Sequence, residues 1–561
     1  MTVQFRKALE GGTAAAFIAA AVAFAFLPAV HGGWLWDDPT GIARNPALRD
    51  GAGLARIWSG RAGPDYFPLT STVQWAQWHL WGDHVEGYHL TNMALHLLGS
   101  LLLWRVLARL GVAAAALGGL LFAVHPVAVE SVAWISELKN VLSLPLLLLS
   151  LLAFMGGEVP VGVRPRRSVA LSLALFVLAM LAKSSVAMFP AILLLHAWWL
   201  RGRIGRRDLA ETAPFFAVSL VLGCATVHLQ AARAMAGLPM PTEGLATRLA
   251  AAAAAAWFYL SKAVLPIHLL AIYPRWPAGG ALTAAGVAGW AGVAAAFAWF
   301  WARRSGWGRH AILGFGSFLL NLAPALGLVP MAFLRISRVS DHFAYLGLAS
   351  LAGLAAAAVG RFRAAAPRPA LVACAGILIA ACALASRRDA ANFTGEEALW
   401  RHTLERNPGA WLAENNLCIA LANSGRPAEG IAHGQAAVRL QPGFPEAHAN
   451  LGLALTQAGR PGEAIGQLEE ALRLNPDLAG ARLGLAVAHN NRGGARARGG
   501  RLADAVADFE AARDLEPANA GIRRNLAFAL HELGRDREAL DQMDEAERLD
   551  PGGGLAGHRP R

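Results

Sequence analysis

Up to about Ser386 the chain alternates long apolar runs with short polar loops, and beyond it charges, Asn, Gly and Pro recur at a regular spacing. A helix needs about 20 apolar residues to cross roughly 30 Å of hydrocarbon. Runs that predict crossing helices lie near 11–30, 93–110, 112–129, 139–156, 168–183, 185–200, 212–231, 249–268, 281–302, 310–333, 343–360 and 369–386. Arg6 and Lys7 ahead of the first run imitate a secretory signal, but no small-residue cleavage site follows, so the run is read as a helix. The pattern predicts an all-α protein. A polytopic transmembrane helix bundle occupies 1–390, a helical solenoid 391–551 and a flexible tail 552–561.

The solenoid follows from periodicity. Pro408, Pro442 and Pro476 stand 34 residues apart, as do Pro517 and Pro551, and the interval from Pro476 to Pro517 is seven residues longer. Each unit holds two helical patterns, clearest where Ala447 to Leu455 is followed by Gly459 and then by Ala464 to Leu474 before Pro476. Small residues let paired helices approach, Gly turns the chain, and Pro stops the second helix. A 34-residue helix–turn–helix period is the tetratricopeptide pattern. The seven extra residues fall in Arg492-Gly-Gly-Ala-Arg-Ala-Arg-Gly-Gly-Arg501 and are expected to enlarge a turn into a basic, mobile loop. Stacked repeats offer a concave face for a protein or peptide.

Charge orients the bundle. The net charge of +12 comes with only 16% charged residues, and many basic ones sit in short loops between apolar runs. That is the positive-inside pattern, which argues against nucleic acid as a partner and for membrane lipid. Arg6/Lys7, Arg105–Arg109, Arg164–Arg167, Arg201–Arg207, Arg303–Arg309 and Arg361–Arg368 are expected on the cytoplasmic side. Parity then requires 249–274, broken by Pro266 and Pro274, to be re-entrant or interfacial. About eleven crossings remain, with the N-terminus inside and the repeats outside. Cys224, Cys374, Cys382 and Cys418 show no metal or disulfide spacing.

The loops left outside carry the chemistry. The first, 31–92, holds Trp34, Trp36-Asp37-Asp38, Asp65-Tyr66-Phe67-Pro68 and Tyr88-His89-Leu-Thr-Asn92. The next runs from His125-Pro126 through Glu130 and Trp134 to Ser136-Glu137-Leu-Lys139-Asn140, and later ones hold Lys183 and Arg335-Ile-Ser-Arg338-Val-Ser-Asp341-His342 with Tyr345. Together with His96 and the repeats, these motifs resemble the transmembrane and tetratricopeptide-repeat proteins, whose animal members are protein O-mannosyltransferases, and more closely their bacterial relatives. The resemblance covers nearly the whole chain. This sequence carries Leu138 and Asn140 where the animal members often have a basic and an acidic residue, and His342 where Arg is common. Membership implies a GT-C fold, an outward-facing site and a sugar donor carried on polyprenyl phosphate.

Such transfer needs a base for the acceptor proton, cations or a divalent metal for the leaving phosphate, and a groove for the lipid. A base must lie within hydrogen-bond reach of its proton, and GT-C enzymes place an acidic residue on the first external loop, so Asp37 or Asp38 is expected to be catalytic. Asp38 alternatively caps a short helix begun by Pro39. Lys183, Lys139, Arg338, Asp341 and His342 are candidates for the donor phosphate, with snorkelling as the alternative for Lys183. Tyr66, His89, Glu130 and Glu137 are candidates for the site wall, the two glutamates lying two turns apart on one helical face. His89 and His96 share that spacing, as a metal pair or as helix-packing hydrogen bonders. The sequence therefore points to a membrane glycosyltransferase moving a mannose-like hexose to a protein or glycan hydroxyl. A non-catalytic membrane-anchored scaffold for cell-envelope complexes is the alternative, and a transporter ranks last because few charges fall within the spans.

Overall fold

The computed structural model describes residues 3–156, 165–235, 243–276, 280–362 and 367–551, and no strand occurs among them. The expected tail 552–561 and parts of the basic loops at 164 and 363–366 lie outside the described residues. The chain divides into two compact units, Met1–His402 and Thr403–Arg561.

In the first unit seven described helices are long and apolar enough to cross a membrane, or eight if the bent pair Ala115–Ala123 and Pro126–Ala133 is one span. Other expected spans form shorter helices: Arg166–Ala182 with 17 residues, Phe189–Arg201 with 13 and Gly308–Leu322 with 15. The breaks have local causes. Lys183 is extended (φ −158°, ψ 123°) and stops one helix, and Gly202 at φ 73° ends another. The Leu245–Val264 helix stops ahead of Pro266, as expected of a residue preceding proline. Lys262 Nζ then binds the carbonyls of Ile267 (2.6 Å) and His268 (3.1 Å), and no helix forms over 266–276.

The Ile135–Gly156 span is central, with 61% of its apolar window buried, whereas Arg206–Ala234 and Thr283–Ala302 are peripheral at 11% each. The outer helices turn Leu220, Val221, Trp299 and Ile377 outward. Inside, small residues set the spacing. A Cβ on Gly118 or Gly353 would sit 2.4 or 2.7 Å from a methyl of Leu107, so only glycine lets those helices close on it.

The sequence boundary at 390 moves. Glu396, assigned to the repeats by periodicity, accepts a hydrogen bond from the Trp36 amide (2.6 Å), and the Trp400 ring meets Trp36 edge-on at 5.2 Å. The first turns of the Glu396–Arg406 helix thus belong to the first unit because they complete the packing around Trp36.

The second unit stacks helix pairs: Trp411–Asn423 with Pro427–Leu440, Pro445–Gln457 with Pro461–Leu474, Ala479–Arg498 with Leu502–Leu515, and Ala520–Glu532 with Asp536–Leu549. Ile431, Leu451, Leu455, Ile465, Leu468 and Leu485 form a core continuous across repeats. The seven extra residues do not enlarge a turn. They lengthen the first helix of the third pair to 20 residues against 13 in its counterparts. Seven residues are about two helical turns, so the pairing face keeps its phase. Buried Asp508 holds the extension, accepting from Arg492 Nη2 (2.6 Å), Arg496 Nη1 (2.8 Å) and His489 Nδ1 (3.1 Å). Gly493 lets the Phe509 ring lie against the helix backbone, where a Cβ would stand 2.9 Å from it.

Candidate functional site

At one end of the first unit four segments bring their charged residues into a buried network. It begins at Trp134, which leaves helical geometry (φ −87°, ψ 122°) between the short helices Val129–Ala133 and Ile135–Glu137. Glu130 and Glu137 therefore do not share one helical face as the spacing suggests, nor do they solvate an external helix: they are 3% and 1% exposed. The break aims them in different directions. Asn92 Nδ2 fixes it by donating to the Trp134 carbonyl (3.1 Å), and the Trp134 ring stacks on Trp36 at 4.9 Å with 6° between planes.

Glu137 faces two cations. Its Oε1 is 2.8 Å from Lys139 Nζ, and its Oε2 is 3.4 Å from Lys183 Nζ. Asn140 Oδ1 accepts from Lys183 Nζ (2.6 Å), and its Nδ2, with two protons to share, lies within hydrogen-bond distance of Glu137 Oε2 (2.6 Å), Ser131 Oγ (3.0 Å) and the His342 carbonyl (3.0 Å). Lys183 is 6% exposed and points inward, so it does not snorkel. Glu130 accepts from the His342 amide (2.9 Å) and from Ser340 Oγ (3.0 Å), and lies 3.1 Å from His342 Nδ1. The other ring nitrogen of His342 is 4.0 Å from Glu137, which links the two glutamates. Two carboxylates thus balance two ammonium groups and one imidazole, the arrangement that makes buried charge tolerable.

Asp38 fastens the first loop to this network. Its Oδ2 accepts from the Leu35 amide (3.0 Å), and its Oδ1 from the Ser136 amide (2.8 Å) and hydroxyl (2.5 Å). It is fully buried, and it stands before Pro39 without capping the short Pro39–Ala43 helix. Burial first, then the neighbouring Asp37 charge, push its carboxyl above the ordinary range, against the opposing pull of the Ser136 and Leu35 donors. Asp37 reaches the surface, yet burial of its inner side and the Glu137 charge push its carboxyl above the ordinary range, against the pull of Lys139 and a Ser136 hydrogen bond. Just ahead of the pair in sequence, Trp36 adopts φ +51°, a conformation rare for a bulky residue. Trp134, Trp400 and Glu396 hold it there.

The remaining candidates are distributed around this centre. Asp341 adjoins it but spends both oxygens on the Tyr273 hydroxyl, each at 2.9 Å. Arg338 pairs with Glu243. Tyr66 donates to the Trp58 carbonyl (3.2 Å) within the first loop and stays outside the network. His89 is buried beside Gly32, and His96 bonds the Tyr345 hydroxyl (2.9 Å) and the Ala123 carbonyl (3.1 Å), a packing role. Among the described residues no group of three or more His, Cys, Asp or Glu forms a metal-binding cluster. Ser136 and Asn140, noted only as motif residues, and Ser340 and Tyr273 are partners to which the sequence assigned no role in the site. A polar residue in the first turn of an apolar run was the available sign for Asn140.

In the second unit, residues 445–478 and 497–555 each match the tetratricopeptide-repeat family. The C-terminal unit is a tetratricopeptide-repeat domain. Its solved neighbours include a crystal structure of YrrB, described as a tetratricopeptide-repeat protein with an unusual peptide-binding site. That protein is 21% identical over 28% of this chain and 77% of its own, with a TM-score of 0.24. A crystal structure of MamA is 20% identical over 31% and 88%, and MamA from Desulfovibrio magneticus RS-1 is 19% identical over 28% and 86%, both also at 0.24. No curated protein matches the chain. Tetratricopeptide-repeat domains present extended surfaces to protein or peptide partners, so this unit is a protein-interaction module.

Proposed function

We propose that the first unit is a membrane-embedded glycosyltransferase and that the tetratricopeptide-repeat domain engages its protein acceptor or a partner. The donor in this reading is a mannose-like hexose on polyprenyl phosphate, as the family resemblance implies. One observation carries the reading: exposed Asp37 lies beside Lys139, and Lys139 rests on a buried network of Glu137, Asn140, Lys183 and His342. Charges buried at this cost fix geometry at a site.

Asp37 is the better base of the pair, since Asp38 is inaccessible and both its oxygens are occupied. The acceptor hydroxyl gives its proton to the Asp37 carboxylate while its oxygen bonds to the anomeric carbon. The bond from that carbon to the carrier oxygen breaks, and the electron pair leaves on the polyprenyl phosphate. Lys139, whose side chain keeps 20% exposure, steadies that phosphate. Asp38 positions Asp37 by tying the loop to Ser136. A single displacement inverts the configuration.

The apolar helices with outward Leu, Val, Ile and Trp fit insertion in the bacterial cytoplasmic membrane, with the N-terminus inside and the repeats outside. The scaffold reading keeps its own support, because the family matches fall within the repeats. Purified full-length protein in lipid, given a panel of polyprenyl-phosphate hexoses and peptide acceptors, separates the two. Hexose transfer supports the enzyme. Capture of envelope proteins by the repeats, with every donor left intact, supports the scaffold.

A further inference from the structure

The end of the first unit opposite the charged network holds an apolar cavity of about 750 Å³. Ligand pockets span roughly 300–1,000 Å³. Leu107, Leu147, Phe189 and Leu346 are among its walls, and Arg361 and His310 stand at its far end. From Leu346 to Arg361 the helix rises roughly 22 Å at 1.5 Å per residue, enough for one extended hydrocarbon chain.

The mouth is basic and aromatic. His310 lies within the fields of both Arg309 and Arg361. Its Nδ1 accepts from the Trp199 indole at 3.0 Å, which places the imidazole proton on Nε2. Trp198 stacks on Trp301 at 5.5 Å, and Trp299 packs edge-on to Trp307 at 4.9 Å. Tryptophan concentrates at headgroup depth. Cations at the same level as that aromatic belt, above a hydrocarbon-lined recess, match a lipid with one anionic head and an apolar tail.

We propose that this cavity binds an anionic phospholipid, its headgroup at Arg361 and His310 and one acyl chain between the helices. The site is distinct from the charged network, and its assignment rests on the reading of the first unit as membrane-inserted. The test uses full-length protein in detergent, dioleoyl phosphatidylglycerol against dioleoyl phosphatidylcholine, and native mass spectrometry of retained lipid. Wild type is expected to keep one phosphatidylglycerol in preference to phosphatidylcholine. Arg361→Gln with His310→Gln reduces that preference at least fivefold, as roughly expected from removing basic residues near an anionic head. Ala357 also lines the cavity, and Ala357→Phe, or the milder Ala357→Leu, fills it and lowers retention of both lipids while circular dichroism stays helical.

A preference unchanged by the Arg361 and His310 substitutions, or retention unchanged by filling the cavity, overturns the proposal. So does absence of bound lipid from a protein that only detergent extracts, and the membrane reading then survives. Recovery of the protein without detergent overturns both.

Discussion

Asp508→Ala tests whether the third repeat is extended by helix. The carboxylate is 2% exposed and takes hydrogen bonds from Arg492, Arg496 and His489, all on the lengthened Ala479–Arg498 helix. Charge-assisted bonds contribute about 1.5–3 kcal/mol each. The full sum is not lost, because the Arg492 and Arg496 side chains keep 28% and 26% exposure and rehydrate once released. A local cost of about 2–4 kcal/mol is the expected balance. Hydrogen exchange read by mass spectrometry on the full chain measures it, since local opening reports the stability of that segment. Protection over 489–498 should fall roughly 30- to 700-fold, a factor of ten for each 1.4 kcal/mol, while the Pro445–Leu474 repeat stays unchanged. Burial alone would raise the Asp508 pKa, but the Arg492 and His489 hydrogen bonds and the arginine charges outweigh it and hold the carboxyl below its usual value. A depressed folded pKa stabilises above the unfolded value of about 3.9. The difference between wild type and variant should therefore persist from about pH 7 to 5 and fade as pH falls through the folded pKa. Unchanged protection, or equal loss in every repeat, would refute the account of the extension.

The other predictions concern the first unit. Glu137→Gln removes the carboxylate that directly contacts both Lys139 and Lys183 and should cost about 3–5 kcal/mol in thermal unfolding in detergent. Adding Lys183→Met should recover part of that loss, and strict additivity would argue against a coupled network. Asp38→Ala frees the Leu35 and Ser136 donors and should destabilise by about 2–3 kcal/mol, with faster proteolysis within 31–66. Asp37→Asn, at an exposed position, should stay within about 0.5 kcal/mol of wild type in the same measurement.

The repeats were legible because proline spacing and small-residue positions state the helix pairing directly. The misreading at 492–501 came from taking Gly-Gly flanked by arginine as loop chemistry. Two added turns preserve helical phase, and the anchor at Asp508 lies too far along the chain for a local pattern to reveal. In the first unit the charged motifs were visible one by one, and the network did collect Asp38, Glu130, Glu137, Lys139, Lys183 and His342. Their mutual geometry was hidden. The Trp134 ring at the helix break stacks on Trp36, nearly a hundred positions earlier, and Lys183 reads equally as a donor-phosphate ligand or a snorkelling lysine until Asn140 and Glu137 are placed beside it. Glu396 and Trp400 were assigned to the repeats because periodicity cannot show that they close over Trp36.

Group transfer at Asp37 is the step on which the proposed enzyme depends. Its most direct test is hexose transfer from polyprenyl-phosphate donors by full-length protein in lipid, comparing wild type, Asp37→Asn and Lys139→Met. Loss of a general base typically lowers rate by about 10²–10⁴-fold. Asp37→Asn should lose transfer by that factor at unchanged thermal stability, and Lys139→Met should bind donor more weakly. Transfer that survives Asp37→Asn would contradict the assignment of the base, and wild type that transfers no hexose to any acceptor would leave the repeats' scaffold role as the function.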